Sequence, residues 1–126
     1  MVSWAQIDAI ASALPEVECL NDGRRSWAVR GKGIAWERPL RPKEVALLGD
    51  AAPVGDIIAI HVADEGIKQA LIAAQPETFF TIEHFNNYPA VLALRTKLTV
   101  ADARELFADG WRIKAPASLR KLHPDL

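Results

Sequence analysis

The hydrophobic period along this chain switches repeatedly, and each switch marks a new element. Trp4, Ile7, Ala11 and Leu14 recur on one helical face. Ser3 precedes them as an N-cap, with Gln6 at the capping-box spacing. Pro15 stops this helix at about Leu14. A short strand is expected over Val17–Leu20, closed by the turn signal Asn21-Asp22-Gly23. The period then drops to two. Trp27 and Val29 alternate with Ala28 and Arg30, and after Gly31-Lys32-Gly33 the alternation resumes at Ile34 and Trp36. This predicts a hairpin turned by its glycines, with Trp27 and Trp36 facing each other across it.

Pro42 at a first turn and Gly49 as a stop bound a short helix over Pro42–Leu48. The segment from Asp50 to Asp56 reads as a loop. Ile57 to Val62 is the most β-prone run; Ile58, Ile60 and Val62 point to one side, and Ile57, Ala59 and His61 to the other. Asp64 caps a helix that runs to about Ala74, with Ile67, Leu71 and Ala74 as its expected buried stripe. Thr78–Ile82 and Ala90–Arg95 read as two further strands flanking a polar, aromatic loop. Thr99, with Asp102 three residues on, opens a long helix whose inward face is Val100, Ala103, Phe107 and Gly110 or Trp111. Ala115-Pro116 breaks it, and Ala117–Leu122 forms one more helical turn. The predicted fold class is α+β: a mostly antiparallel sheet of five to six strands, helices packed against it, one domain over 1–126, and one sheet face partly open.

Composition narrows the function classes. The chain has 126 residues, half of them hydrophobic and a quarter charged, which is a globular composition. A formal net charge of -1 argues against a general polyanion binder. The charge is uneven: residues 1–49 hold seven basic and six acidic side chains, 50–83 one and six, and 84–126 seven and four. The last segment defines a candidate phosphate-binding set of Arg95, Lys97, Arg112, Lys114, Arg120 and Lys121, lying near Trp111. One cysteine, Cys19, excludes an intrachain disulfide and a multi-cysteine metal site. The N-terminus lacks the basic and apolar regions of a signal peptide, and no apolar run approaches the length of a membrane span. A reduced, cytoplasmic setting fits these features.

Catalytic and cofactor motifs are missing. There is no P-loop, no Gly-x-Ser-x-Gly and no HExxH, and His61, His84 and His123 lack metal-ligand spacing. No metal or cofactor is expected. The densest polar group is the loop with His84, Asn86 and Tyr88, a candidate ligand site in which the imidazole would orient or protonate a ligand. The same side chains could equally serve to brace a tight loop. His61, inside an apolar strand, is expected to be a sheet-face residue with a satisfied hydrogen bond.

Several stretches together resemble the MmcQ/YjbR family: Leu14-Pro15-Glu16-Val17, Trp27-Ala28-Val29-Arg30-Gly31-Lys32, Phe79-Phe80-Thr81-Ile82-Glu83-His84-Phe85, Tyr88-Pro89-Ala90-Val91-Leu92 and Trp111-Arg112-Ile113-Lys114-Ala115-Pro116. The resemblance spans almost the whole chain. It implies a compact α+β domain similar to CyaY-like and secretion-chaperone-like folds. It also implies the DNA-binding label that this family carries through its likeness to a double-wing arrangement. Three readings follow: a nucleic-acid-binding domain using the basic set, a small-molecule or peptide site at His84, Asn86 and Tyr88, or a protein-interaction module presenting Trp27 or Trp36. The exposure of Trp27, Trp36 and Trp111 discriminates among them.

Overall fold

Each of the three longest helices begins at a side-chain cap. In the computed structural model, which describes residues 1–126, Ser3 accepts from the Gln6 amide and closes a full capping box ahead of α1 (Trp4–Ser12). Asp64 accepts from Ile67 ahead of α3 (Glu65–Ala74), and Thr99 from Asp102 ahead of α4 (Val100–Lys114). The Asp102 carboxylate does not close a box of its own; it accepts from the Gln75 side chain, tying α4 to the end of α3. Two short helices, α2 (Pro42–Leu48) and α5 (Ala117–Leu122), complete the set.

The strands are β1 (Val17–Asn21), β2 (Arg25–Val29), β3 (Lys32–Glu37), β4 (Ile57–His61), β5 (Phe79–Phe80) and β6 (Ala90–Leu94). They form one antiparallel sheet in the order β1-β2-β3-β4-β6-β5. The predicted strand over Thr78–Ile82 shrinks to the two residues of β5, because the chain turns at Glu83–Phe85 into a 3-10 turn. A similar turn at Arg95–Lys97 leads out of β6.

One face of the sheet carries the main core. Ile7 and Ala11 of α1, Ala103, Phe107 and Trp111 of α4, and Leu119 of α5 cover Trp27, Ile58, Ile60, Val91 and Ala93. Gly110 is required here: a Cβ would lie 2.7 Å from Ile34 Cγ2, so α4 approaches β3 more closely than any side chain permits. The opposite face holds a smaller cluster of Ile57, Ala59, Ile82, Phe85, Ala90 and Leu92.

Three expectations are corrected. The hairpin turns on Arg30-Gly31, both at positive φ (47° and 80°), with Val29 paired to Lys32. That is the geometry of a two-residue primed turn. The Arg30 guanidinium is held in it by paired bonds to the Glu16 carboxylate, 3.0 Å each. Next, Trp27 and Trp36 do not face each other. Trp27 pairs with Ala35 and Trp36 with Ser26, and a bulge at Ile34 sets the register, so the two indoles lie on opposite faces of the sheet. Finally, α3 does not bury Ile67 and Ala74. Both are exposed, Leu71 is half-buried, and the one fully buried side chain is Lys68.

Candidate functional site

Lys68 explains the polar loop. Its ammonium donates to the carbonyls of Phe85 (2.6 Å) and Tyr88 (3.1 Å) and lies 3.4 Å from the Glu65 carboxylate. A fully buried cation needs such partners, since desolvation without them costs several kcal/mol. The loop is thereby tied to α3, and Asn87 takes positive φ (60°) within it. The Phe85 ring turns back onto the second sheet face. It packs with Trp36, Tyr88 and His84, while His61 sits between Trp36 (5.2 Å) and Tyr88 (5.6 Å). His61 Nδ1 has no hydrogen-bond partner. Burial first, then the Lys114 charge, lowers the affinity of this imidazole for a proton.

Beside this aromatic group the sheet face is open. Alternation along β3 places Trp36 on it, half-buried, and Pro39 carries the chain into an extended segment before α2. Arg38 anchors that segment. Its side chain, 10% exposed, donates twice to Glu44 (2.9 and 2.8 Å) and once to the Pro39 carbonyl, over the Phe85 ring. The Arg38 bonds, then the Arg41 amide, hold the Glu44 carboxyl down at about 2.

Two cavities flank this anchor. The first, about 560 Å³, is lined by Arg24, Arg25, Arg38 and Arg41 with Trp36 and Glu37. Arg25 lies 3.6 Å from Glu37 and over the Trp4 ring. Arg24 and Arg41 are exposed and form no ion pair, so the cavity carries uncompensated positive charge. The second, about 660 Å³, lies between α2 and the polar loop and is lined by Lys43, Glu44, Leu47, Leu48, Ile82, Glu83 and His84. Arg41 lines both.

The residues singled out from sequence are scattered. Arg95 is structural: it bonds Asp56 (2.9 and 3.1 Å) and the Val2 carbonyl (2.8 Å), and it lies over Trp4. Lys97 is exposed next to it. Lys114 acts electrostatically on His61, at the far end of β4 from the Asp56 that Arg95 bonds, so Arg95 and Lys114 do not share a site. Arg112 is paired with Asp109, and Arg120 donates to the Arg112 carbonyl; with exposed Lys121 they form a smaller patch at the α4–α5 junction. His84 reaches the second cavity. Asn86 is exposed on the loop, and Tyr88, 43% exposed, packs on His61 rather than into either cavity. Trp27 and Trp111 are fully buried, with their indole N–H groups satisfied by Asp8 and the Pro15 carbonyl. The arginines of the first cavity were overlooked because Arg24-Arg25 and Arg38-x-x-Arg41 lie apart in a segment of nearly balanced charge. The available signal was Pro39 and Pro42, which hold that basic segment extended.

No three His, Cys, Asp or Glu side chains cluster as metal ligands, and no helix is long and apolar enough to cross a membrane. Fold and site define an α+β domain on a six-stranded antiparallel sheet, with a cationic groove beside Trp36 where β2 begins and β3 ends. The chain is 39% identical over 122 residues to the uncharacterised protein Rv2570 of Mycobacterium tuberculosis and, to the same extent, to Mb2600 of Mycobacterium bovis, with 94% of this chain and 93% of each relative covered. It belongs to the family of these mycobacterial proteins. No protein-family model matches it, and no solved structure does.

Proposed function

We propose that the protein is a binding domain of the MmcQ/YjbR type that holds an anion-bearing small molecule in the groove over Trp36. One observation carries this reading: Arg24 and Arg41, whose guanidinium groups form no ion pair, line one cavity together with the Trp36 indole. Guanidinium groups bind carboxylate and phosphate with two parallel bonds, and a cavity of this size suits a small ligand. Titration with inorganic phosphate, followed by tryptophan fluorescence with a Trp36→Phe variant to identify the responding indole, tests it. The expected result is a saturable change in the millimolar range that an Arg24→Ala/Arg41→Ala double variant abolishes. A flat titration sinks the reading.

A second reading places nucleic acid on the C-terminal patch, where Arg112, Arg120 and Lys121 are exposed together. Polarisation of labelled single- and double-stranded DNA at low and physiological salt separates the two. Binding that weakens steeply with salt and disappears in Arg112→Ala/Lys114→Ala, but survives Arg24→Ala/Arg41→Ala, favours this second surface.

A further inference from the structure

The two cavities meet at Arg41, and their linings differ in kind. The first presents four arginines against one glutamate. The second presents Leu47, Leu48 and Ile82, with Lys43 and His84 set against the carboxylates of Glu44 and Glu83. Leu47 is 74% exposed, an unusual position for a leucine beside a cationic groove. Nothing in the fold needs it there, since α2 buries none of its residues.

We infer that the groove takes a single amphiphilic ligand: an anionic head, phosphate or carboxylate, between Arg24 and Arg41, and an apolar body lying along Leu47, Leu48 and Ile82. Arg41 stands at the junction and binds the head from the side facing the body. Charge complementarity selects the head, since the free cations have no internal partner to displace. Apolar area selects the body, since covering Leu47 removes exposed hydrocarbon from water. The arrangement matches the general form of small-molecule sites, in which a few placed charges fix orientation and apolar lining supplies contact area. Arg38 takes no part in the exchange, because both of its forks are committed to Glu44.

This inference rests on the anion-groove reading and extends it to a ligand class. Four probes test it on the full chain, read by calorimetry: inorganic phosphate, hexyl phosphate, 1-naphthyl phosphate and neutral 1-naphthol. At least one organophosphate is expected to bind about tenfold or more tightly than inorganic phosphate. Which of the two gains more distinguishes an aliphatic body from an aromatic one. Leu47→Gln should remove that gain and leave phosphate binding unchanged, and both side chains stay exposed, so folding is not at issue. Arg41→Ala should weaken all three anions about tenfold. Organophosphates no tighter than phosphate overturn the bipartite site while leaving the anion groove standing. No binding by any anion overturns both. Naphthol binding as tightly as naphthyl phosphate overturns the assignment of the head.

Discussion

On the helix-covered side of the sheet, Trp27, Phe107 and Trp111 are fully buried, the indole N–H groups are satisfied, and a glycine lets α4 close onto β3. On the other side the cover consists of a loop and a short helix without a buried residue; the loop is tied by the buried Lys68 to α3, whose Leu71 and Ile72 pack on the main core. The first side is organised by apolar packing. The second is organised by directional bonds: Lys68 to two carbonyls, Arg38 to Glu44. Packing energy is spread over many contacts and leaves no concavity. Directional bonds can hold a thin cover at a distance from the sheet, and the cavities lie beside that cover. The difference places stability on the packed face and, under the proposed reading, binding on the other.

The comparison breaks most easily at Trp111. Trp111→Ala opens a cavity in the closed face and leaves the Pro15 carbonyl without its donor. It should cost about 3–5 kcal/mol, read as a lower midpoint in urea unfolding. A loss below about 1 kcal/mol would show that the closed face is not where stability resides.

Lys68→Met is the corresponding cut at the loop that covers the other face. It removes a buried cation but strands the carbonyls of Phe85 and Tyr88. The expected loss is about 2–4 kcal/mol, smaller than for Trp111 because the methionine recovers some apolar contact. Its location is the sharper readout. Hydrogen exchange should accelerate at Glu83–Tyr88 before it does in β4, whereas Trp111→Ala should loosen the molecule globally. Uniform acceleration in both variants would erase the distinction between the faces.

The closed face could be read from the sequence, and the open one largely could not. Ile7, Ala11, Ala103, Phe107 and Trp111 announce themselves by helical period, and the two sides of β4 by strict alternation, because apolar burial leaves a periodic trace. Ser3, Asp64 and Thr99 are legible because a cap is a local event. Lys68 is illegible: its partners lie 17 and 20 residues away, and a lysine on a helix normally signals solvent. The Trp27–Trp36 pairing fails for a related reason, since one bulge at Ile34 reverses the parity of everything after it. Of the candidate site, His84 was visible as part of a polar loop. Arg24 and Arg41 were not, because only the fold brings β2 alongside the segment leading into α2.

The smallest expected effect is also the most specific, and it concerns the Arg38–Glu44 bond that holds α2 beside the groove. Glu44 titrates at about 2 in the folded protein, below its ordinary 4.5. A depressed carboxylate stabilises the fold fully above its unfolded value, and the contribution is lost as pH falls from about 4.5 through about 2. Glu44→Gln should therefore cost on the order of 2 kcal/mol at neutral pH, and the difference from the native protein should shrink across that window. Difference curves from urea unfolding between pH 7 and pH 2 measure it. Parallel curves would mean that the pair contributes nothing through its charge. The same variant tests the role of α2. If the helix is held mainly by this bond, its loss should weaken phosphate binding at Arg41 without loosening β4, because Arg41 sits at the N-cap of the helix that the bond secures. If phosphate binding is unchanged, the groove is shaped by the extended Pro39–Pro42 segment alone, and the carboxylate serves stability without serving the site.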